Sequence, residues 1–320
     1  MAKVSVIVPV FGVEKYIERC AVSLFEQSFD DIQYVFVDDC TPDNSFSILK
    51  GVLSRYEGRQ QQCVFVKQPR NLGLAKARRK GLEFATGEYV IHIDSDDWVD
   101  HEIIACLYNA AQKENADIVS CDYYISDGKN QKEKTWICSK SKDEILGQIL
   151  DHSLAPCIWN KLVKRSVYNN KNIIYPQYDM GEDIALVTQL VFFSTKIIHV
   201  NTPLYYYYYN PLSISRARSV ESCKKKWLQI KSNAQIVLDL LKDNNMSSKY
   251  RAEILIFKEH CRDNNLLPAV QDAWCKEEWL RAYPEAHRLR FFSRYASLKM
   301  MIRYFCVFFN IYNFIFKIRR

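Results

Sequence analysis

Residues 89–98, YVIHIDSDDW, gather more potential chemistry than any other stretch of this chain. An apolar run with β-branched residues, Tyr89 to Ile93, ends abruptly in Asp94, Ser95, Asp96 and Asp97. The run reads as a buried strand, so three carboxylates meet at its mouth and repel one another. A cation would relieve that repulsion. Oxygen-only ligands suit Mg²⁺ or Mn²⁺ rather than zinc, and such hard ions commonly take one or two protein carboxylates and complete their shell with phosphates and water. The same residues also fit an acidic turn that caps the next helix, because carboxylates are favoured at a helix N-terminus.

The elements that must hold this cluster repeat a simple alternation. KVSVIV, 3–8, is a β-branched run stopping at Pro9. GVEKYIERCAVSLFEQSF follows, with Val13, Ile17, Cys20, Leu24 and Phe25 at helical spacing. QYVFVDD, 33–39, is a second buried strand ending in carboxylates, after which Pro42, Asp43 and Asn44 open a helix. CVFVKQ, 63–68, is a third strand, and LGLAKARRKGLEFAT, 72–86, a helix. The alternation predicts a parallel, doubly wound α/β sheet, whose ligands bind beyond the C-terminal strand ends. The conspicuous polar residues fall there: Pro9 to Glu14, Asp38 and Asp39, Arg70 and Asn71, and Asp94 to Asp97. Neither a GxxxxGK[ST] phosphate loop nor a GxGxxG fingerprint occurs. A metal held by Asp96, helped by Arg70, Lys76, Arg78 or Arg79, would take the place of a glycine cradle. Arg78 and Arg79 also read as the solvated face of their helix.

Composition bounds the rest. The chain has 320 residues, 48% hydrophobic and 25% charged, which is ample for a large core. Nine glycines and nine prolines leave no room for a long linker. Eleven cysteines without a CxxC pair point to reduced packing thiols in a cytosolic setting and exclude a zinc or disulfide framework. No signal peptide is recognised, since the first apolar run contains Pro9. The net charge is +7, and residues 286–320 carry eight Lys or Arg with no Asp or Glu, so an anionic partner is expected for the tail.

PVFGVEKYIERCAVSLFEQSF, VFVDDCTPD, NLGLAKARRKGLEFATGEY, HIDSDDW and GEDIAL, in this order, resemble family-2 glycosyltransferases of the GT-A fold, over about residues 3–215. The resemblance implies transfer of a sugar from a nucleotide donor to an acceptor hydroxyl with inversion. It implies that Pro9, Val10, Phe11 and Glu14 line the nucleotide pocket and that Asp39 contacts the base. Arg70, Asn71 and Arg78 would lie near the diphosphate. Asp94, Ser95 and Asp96 correspond to the DxD motif, with Asp96 the direct ligand of Mn²⁺ or Mg²⁺. The chain departs from the family pattern in Gly12, in VDDCTPD where VDDGSTD is common, and in Arg79 where Asn is common. These departures touch local turn geometry and remove no carboxylate.

In the second half, DIVSCDYYI at 117–125 reads as a strand, DGKNQKEK as an exposed hairpin or loop, and 142–152 as a short helix. Glu182 and Asp183 open a helix with Ile184, Leu186, Val187, Leu190 and Val191 on its apolar face. A charged first turn is one reading. The family resemblance implies the other, with Asp183 as general base and Glu182 behind it. Trp159, Asn160 and Lys161 would shape an acceptor pocket, although Trp159 reads equally as core. His199, among apolar neighbours, reads as a packed core histidine. KIIHVNTPL reads as a strand followed by five tyrosines, and the segment after Tyr209 resembles the part of the family that folds over the donor, which implies Ser213, Ser215 and Arg216 as candidate diphosphate contacts.

Domain boundaries are set at 1–216, the GT-A domain, and 217–320, a helical region where acceptor choice would reside. In the last segment, 298–320, Lys299, Arg303, Asn310, Asn313, Lys317 and Arg320 share one helical stripe. Its 22 residues from Lys299 would reach about 33 Å. A charged stripe is costly in lipid, so a helix lying on anionic head groups fits better than a span. Docking on the protein's own core is the competing reading. The tail lacks the cation density that nucleic acid requires. The sequence thus reads as a metal-dependent inverting glycosyltransferase at the cytoplasmic membrane face, using a UDP-sugar and a glycan or lipid-linked acceptor. The alternative is a nucleotide-sugar-binding or scaffold protein of the same fold without turnover.

Overall fold

Short β-branched runs and amphipathic helices build the first half of the chain as their spacing predicts. The computed structural model describes residues 2–136, 141–210, 213, 216–287, 298–309 and 312. Strands β1 (Val4–Val10), β2 (Ile32–Asp38), β3 (Cys63–Lys67) and β4 (Tyr89–His92) lie in the order β3-β2-β1-β4, all parallel. Helices α1 (Ile17–Phe25), α2 (Ser45–Leu53), α3 (Glu57–Gln60) and α4 (Leu74–Phe84) connect them. β1 is buried along its whole length, which is why its sequence is apolar on both faces apart from Ser5, whose hydroxyl donates to Gln33. The strand runs past the expected stop at Pro9. Proline has no N–H to give, and here it falls beyond the last β1–β4 pair, Ile7 with His92, so no ladder bond is lost on that side. The helix expected over 12–29 is confined to α1, and residues 11–16 form turns at the strand end.

Beyond β4 the sheet becomes mixed. After β5 (Trp98–Val99) and α5 (Ile103–Glu114), β6 (Ile118–Ser126) and β7 (Gln131–Lys134) form an antiparallel hairpin from the polar segment. Then follow α6 (Lys142–Leu150), β8 (Lys161–Lys164), α7 (Arg165–Tyr168), α8 (Glu182–Phe193) and β9 (Ile197–Tyr208). β8 pairs antiparallel with β4 and β6, β9 runs parallel to β6, and β5 closes the order antiparallel to β9. Among the described residues this makes one nine-stranded sheet, β3-β2-β1-β4-β8-β6-β9-β5, with β7 on β6. Tyr205 to Tyr208, expected after a strand, lie within β9. Their side chains therefore alternate between the two faces of the sheet.

The chain divides into two compact units, 1–146 with 154–210, and 147–153 with 211–320. The sequence boundary was placed at 216/217; here the chain passes between units at 210/211, and the end of α6 joins the second. That unit comprises α9 (Val220–Asp243), α10 (Arg251–Leu266), α11 (Ala273–Arg281) and α12 (Leu298–Phe308). Ser219 and Asp272 cap α9 and α11 by accepting the N–H of Ser222 and Cys275. Its core gathers Trp227, Leu266, Trp279, Cys306, Val307 and Tyr312. Of the basic stripe on this last helix, Arg303 turns toward the protein. Arg303 reaches Asp263 at 3.2 Å and Glu259 at 3.7 Å on α10, so its charge is spent within the protein. Ile302, Phe305, Phe308 and Phe309 are exposed instead. Asn310, Asn313, Lys317 and Arg320 lie outside the described residues. No helix among the described residues is long and apolar enough to cross a membrane.

Candidate functional site

Three acidic side chains at the end of β4 would repel one another, and the fold gives each a different fate. Asp94 accepts from Arg78 Nη2 at 2.5 Å. Asp97 is buried, accepting the Tyr205 hydroxyl at 2.6 Å and the Tyr208 N–H at 2.7 Å. Burial, then the charges of Asp96 and Asp94, holds the Asp97 carboxyl well above the usual carboxylate range. Asp96 remains between them. Burial, reinforced by Asp94, pushes its carboxyl up to about 6. Its main-chain carbonyl accepts from Arg19 Nη2 at 2.9 Å. Ser95 is buried.

Arg78 is the hub. Its place on α4 predicted either a diphosphate contact or a solvated face, yet it is 2% exposed. Besides Asp94, its guanidinium contacts Glu182, and Nη1 lies 2.9 Å from Asp183. Burial works against its charge, but Asp94 and Asp183 outweigh it and raise the guanidinium above its ordinary value. Glu182 is buried and Asp183 is partly open, both in the first turn of α8, entered through Gly181 with φ +78°. The base candidate and the DxD motif thus share one cation.

The start of α4 is held by two more carboxylates. Asp39 accepts from Gln68 Nε2 and the Leu72 N–H at 2.7 Å each, and from the Gly73 N–H at 2.9 Å. Burial raises its carboxyl in spite of these donors. Asp39 is therefore the organiser of the 68–73 loop as well as a candidate base contact. Asp179 accepts the Ala75 N–H at 3.1 Å. A Cβ at Gly73 would meet the Asp179 carboxylate at 2.6 Å, and φ there is +94°, so only glycine fits. Arg70 and Asn71 are exposed on this loop.

Pro9 and Val10 are buried at the end of β1, and Phe11 and Glu14 are exposed beyond it. The 11–14 and 41–45 turns are laced together. Gly12, Val13 and Glu14 donate their N–H to Thr41, Ser45 and Asp43, while the Glu14 carboxylate accepts the Asn44 N–H at 3.2 Å. Asp43, Asp179, Arg19 and Tyr205 were not singled out from sequence as site residues. Short-range spacing carries no signal for Asp179, Arg19 and Tyr205, because each acts through a partner far along the chain, while Asp43 joins local bonds from Thr41 and Ser45 to a distant one from the Glu14 N–H.

The tyrosines of β9 support the site from both faces. Tyr205 stacks on Trp159 at 4.3 Å, and its hydroxyl also accepts the Asp94 N–H at 3.2 Å. Trp159 is buried, so it belongs to the core beneath the carboxylates rather than to an open acceptor pocket. Tyr206 stacks on Trp98 at 5.1 Å, and the Arg19 guanidinium lies 3.7 Å from the Trp98 ring centre and 4.9 Å from that of Tyr208. Asn160 and Lys161 are buried with Cys157, Lys161 donating to its carbonyl. His199 is a core histidine, bridging Ser120 and Asp122 at 2.9 Å each. Ser213 and Arg216 fall in the second unit, and Ser215 lies outside the described residues.

Among the described residues no group of three or more His, Cys, Asp or Glu is placed to hold a metal ion. A hard ion at a phosphate-bearing substrate does not need one, since one or two carboxylates suffice. Asp96 fits that requirement: it is an oxygen donor whose charge is opposed by burial and by Asp94, while its two acidic neighbours are committed to Arg78 and to Tyr205 with Tyr208.

Residues 5–170 match the model of glycosyl transferase family 2. The putative glycosyltransferase EpsH of Bacillus subtilis is 28% identical over 79% of this chain and 73% of its own length. The span varies between relatives, and a Streptococcus pneumoniae glycosyltransferase is matched over only 32% of its length. Staphylococcus aureus TarS 1–349, solved with UDP-GlcNAc, superposes with a TM-score of 0.58 at 16% identity, covering 91% of this chain and 92% of that one. The mannosyltransferase PcManGT of Pyrobaculum calidifontis, solved with GDP-Man and Mn²⁺, gives 0.57 at 16% identity over 98% and 86%. At these identities the likeness is one of fold, and the fold is GT-A.

Proposed function

Because the chain belongs to glycosyl transferase family 2, we propose that it is a metal-dependent inverting glycosyltransferase. It moves a sugar from a nucleotide-diphospho-sugar, most simply a UDP-sugar, to a hydroxyl of a glycan or lipid-linked glycan in surface-polysaccharide synthesis. One observation supports this best: Arg78 ties Asp94 at the end of β4 to Asp183 at the start of α8, so a donor-side and an acceptor-side carboxylate face one site.

In this reading the acceptor hydroxyl oxygen attacks the anomeric carbon from the face opposite the diphosphate. The bond to the diphosphate breaks with its electron pair, and the hydroxyl proton passes to Asp183. Asp183 is the one member of the Glu182–Asp183 pair that is not buried, as a base that must meet an acceptor requires. Arg78 holds that carboxylate in place, and Glu182 shares the same cation from the buried side. Asp96 is the residue that would hold Mn²⁺ or Mg²⁺, whose charge offsets that of the departing diphosphate. The turns at 9–14 and 39–45 and the loop at 68–73 are the nucleotide side. TarS and PcManGT carry nucleotide sugars on the same fold, which supports that placement.

The test is Asp183→Asn. Thermal shifts with UDP, GDP and CMP and their sugars, with and without Mn²⁺, should be unchanged from the wild type while transfer is lost. Near-normal turnover of this variant would sink the role of Asp183. A shift that depends on Mn²⁺ in the wild type and vanishes in Asp96→Asn would identify the metal ligand. The membrane reading also continues here as a proposal, now carried by the aromatic face of α12 in place of Arg303.

A further inference from the structure

Polar atoms of Arg78 and of two buried side chains within reach of its charge are left without partners. Both terminal nitrogens of Arg78 serve carboxylates, but its Nε has no partner. His92, the last residue of β4, is 0% exposed, and neither ring nitrogen has a partner. Tyr168, the last residue of α7, is 3% exposed, and its hydroxyl has none either. The His92 and Tyr168 rings meet edge to face with centroids 5.9 Å apart. The Arg78 charge bears on both of them, and that of Asp183 on Tyr168 as well.

Buried polar atoms in native proteins are nearly all paired, and those the chain leaves open are met by buried waters with about three hydrogen bonds each. The donor and acceptor inventory here suits water. Arg78 Nε–H can only donate, a neutral imidazole offers one donor and one acceptor, and a phenol does both. One water would accept from Nε–H and donate to an imidazole nitrogen and to the phenol oxygen. An apolar residue at position 92 would suit the surrounding YVI and Ile93 better, so a histidine there calls for a polar reason.

We propose that His92, Tyr168 and Arg78 Nε enclose buried water behind the catalytic carboxylates, and that this water positions the Arg78 guanidinium. Three carboxylates, of Asp94, Glu182 and Asp183, fix the front edge of the fork, and a further anchor at Nε stops it rotating about its own bond. His92 and Tyr168 are then positioning residues for Asp183 and Asp94, without touching substrate. The kinetic part of this inference rests on the transferase reading; the water itself does not.

A high-resolution crystal structure of the wild type should show ordered water within hydrogen-bonding distance of Arg78 Nε and a His92 nitrogen. A dry pocket would overturn the proposal. Tyr168→Phe removes one oxygen and little else, and should lower kcat by about tenfold with donor KM nearly unchanged. His92→Phe should do the same, and the double variant should be no worse than the worse single one, because both break one network. His92→Asn, which loses volume but keeps polar atoms, should outperform His92→Phe. If Phe outperforms Asn, the site is merely packed and the inference is wrong. Wild-type kcat in Tyr168→Phe would overturn it too, even if the His92 variants fail to fold. Should the wild type transfer no sugar from any donor while the water is present, the transferase reading fails and the hydrated site stands.

Discussion

The Asp183 carboxylate lies 2.9 Å from the Arg78 guanidinium, although 105 residues separate them along the chain. The contact joins α4, packed on the parallel half of the sheet, to the first turn of α8. It makes one buried cation answerable for carboxylates on both sides of the site. Arg78→Ala should therefore cost about 3–5 kcal/mol of stability, since it leaves acidic groups uncompensated. Denaturant unfolding measures that loss. Arg78→Lys keeps the charge but not the fork. It should fold, with transfer falling by roughly a hundredfold and donor affinity changing far less. Equal losses of affinity and rate would place Arg78 on the diphosphate instead.

Cys40 occupies a left-handed backbone conformation, φ +59°, at the end of the VDD strand. A residue with a Cβ is strained there by about 1 kcal/mol. Cys40→Gly should raise the urea midpoint accordingly. Cys40 is also the only exposed cysteine among the described ones. Its thiol should be the first to react with a labelling reagent, and a bound nucleotide should protect it if the pocket lies where the 39–45 turn places it.

His152 stacks on His260 with ring centres 3.6 Å apart. Burial, with the His260 charge second, lowers the His152 imidazole from 6.5 to about 4. Unfolded, the ring takes up its proton near 6.5; folded, it resists until about 4. Between these values the unfolded state binds the extra proton, so stability is whole above the window and falls as pH drops through it. The loss should approach 3 kcal/mol, on the order set by the shift. His152→Asn tolerates the local φ of +61° and should flatten the decline between these pH values, as read from unfolding midpoints. An unchanged acid slope would show that other groups carry it.

The exposed face of α12 predicts how the second unit meets a surface. Replacing Ile302, Phe305 and Phe309 together by Ser should abolish sedimentation with anionic vesicles and leave the unfolding midpoint intact, because these side chains are not in the core. Deleting 298–320 is a poorer test, since it strips Cys306, Val307 and Tyr312 from the core. Unaltered vesicle binding in the triple variant would refute contact through this face.

Much of this protein was legible without coordinates. Apolar runs and helical spacing are local properties, so they located β1 to β4, α4 and α8 to within a few residues. A strand that ends in carboxylates announces its functional end because ionised groups cannot remain inside a sheet. Hence Asp39, Asp94 and Asp96 stood out at once, whereas Asp183, in the first turn of α8, was marked only by the family resemblance. The tyrosine run was misplaced after its strand because five like residues in a row hide the alternation that β9 imposes.

Tertiary structure alone decided what each charge does. Sequence offered three equivalent carboxylates at the end of β4. Arg78 claims Asp94 and Tyr205 with Tyr208 claims Asp97, while Asp96, in contact with Asn210, has a carboxyl raised by burial and by Asp94. In the same way Trp159 became core under Tyr205, and Arg303 turned toward Asp263 rather than outward. Spacing along a chain reports which residues share a face of one element. Whether a charge is neutralised, buried or free depends on which other element is brought against that face, and here those partners come from 16 to 111 positions away.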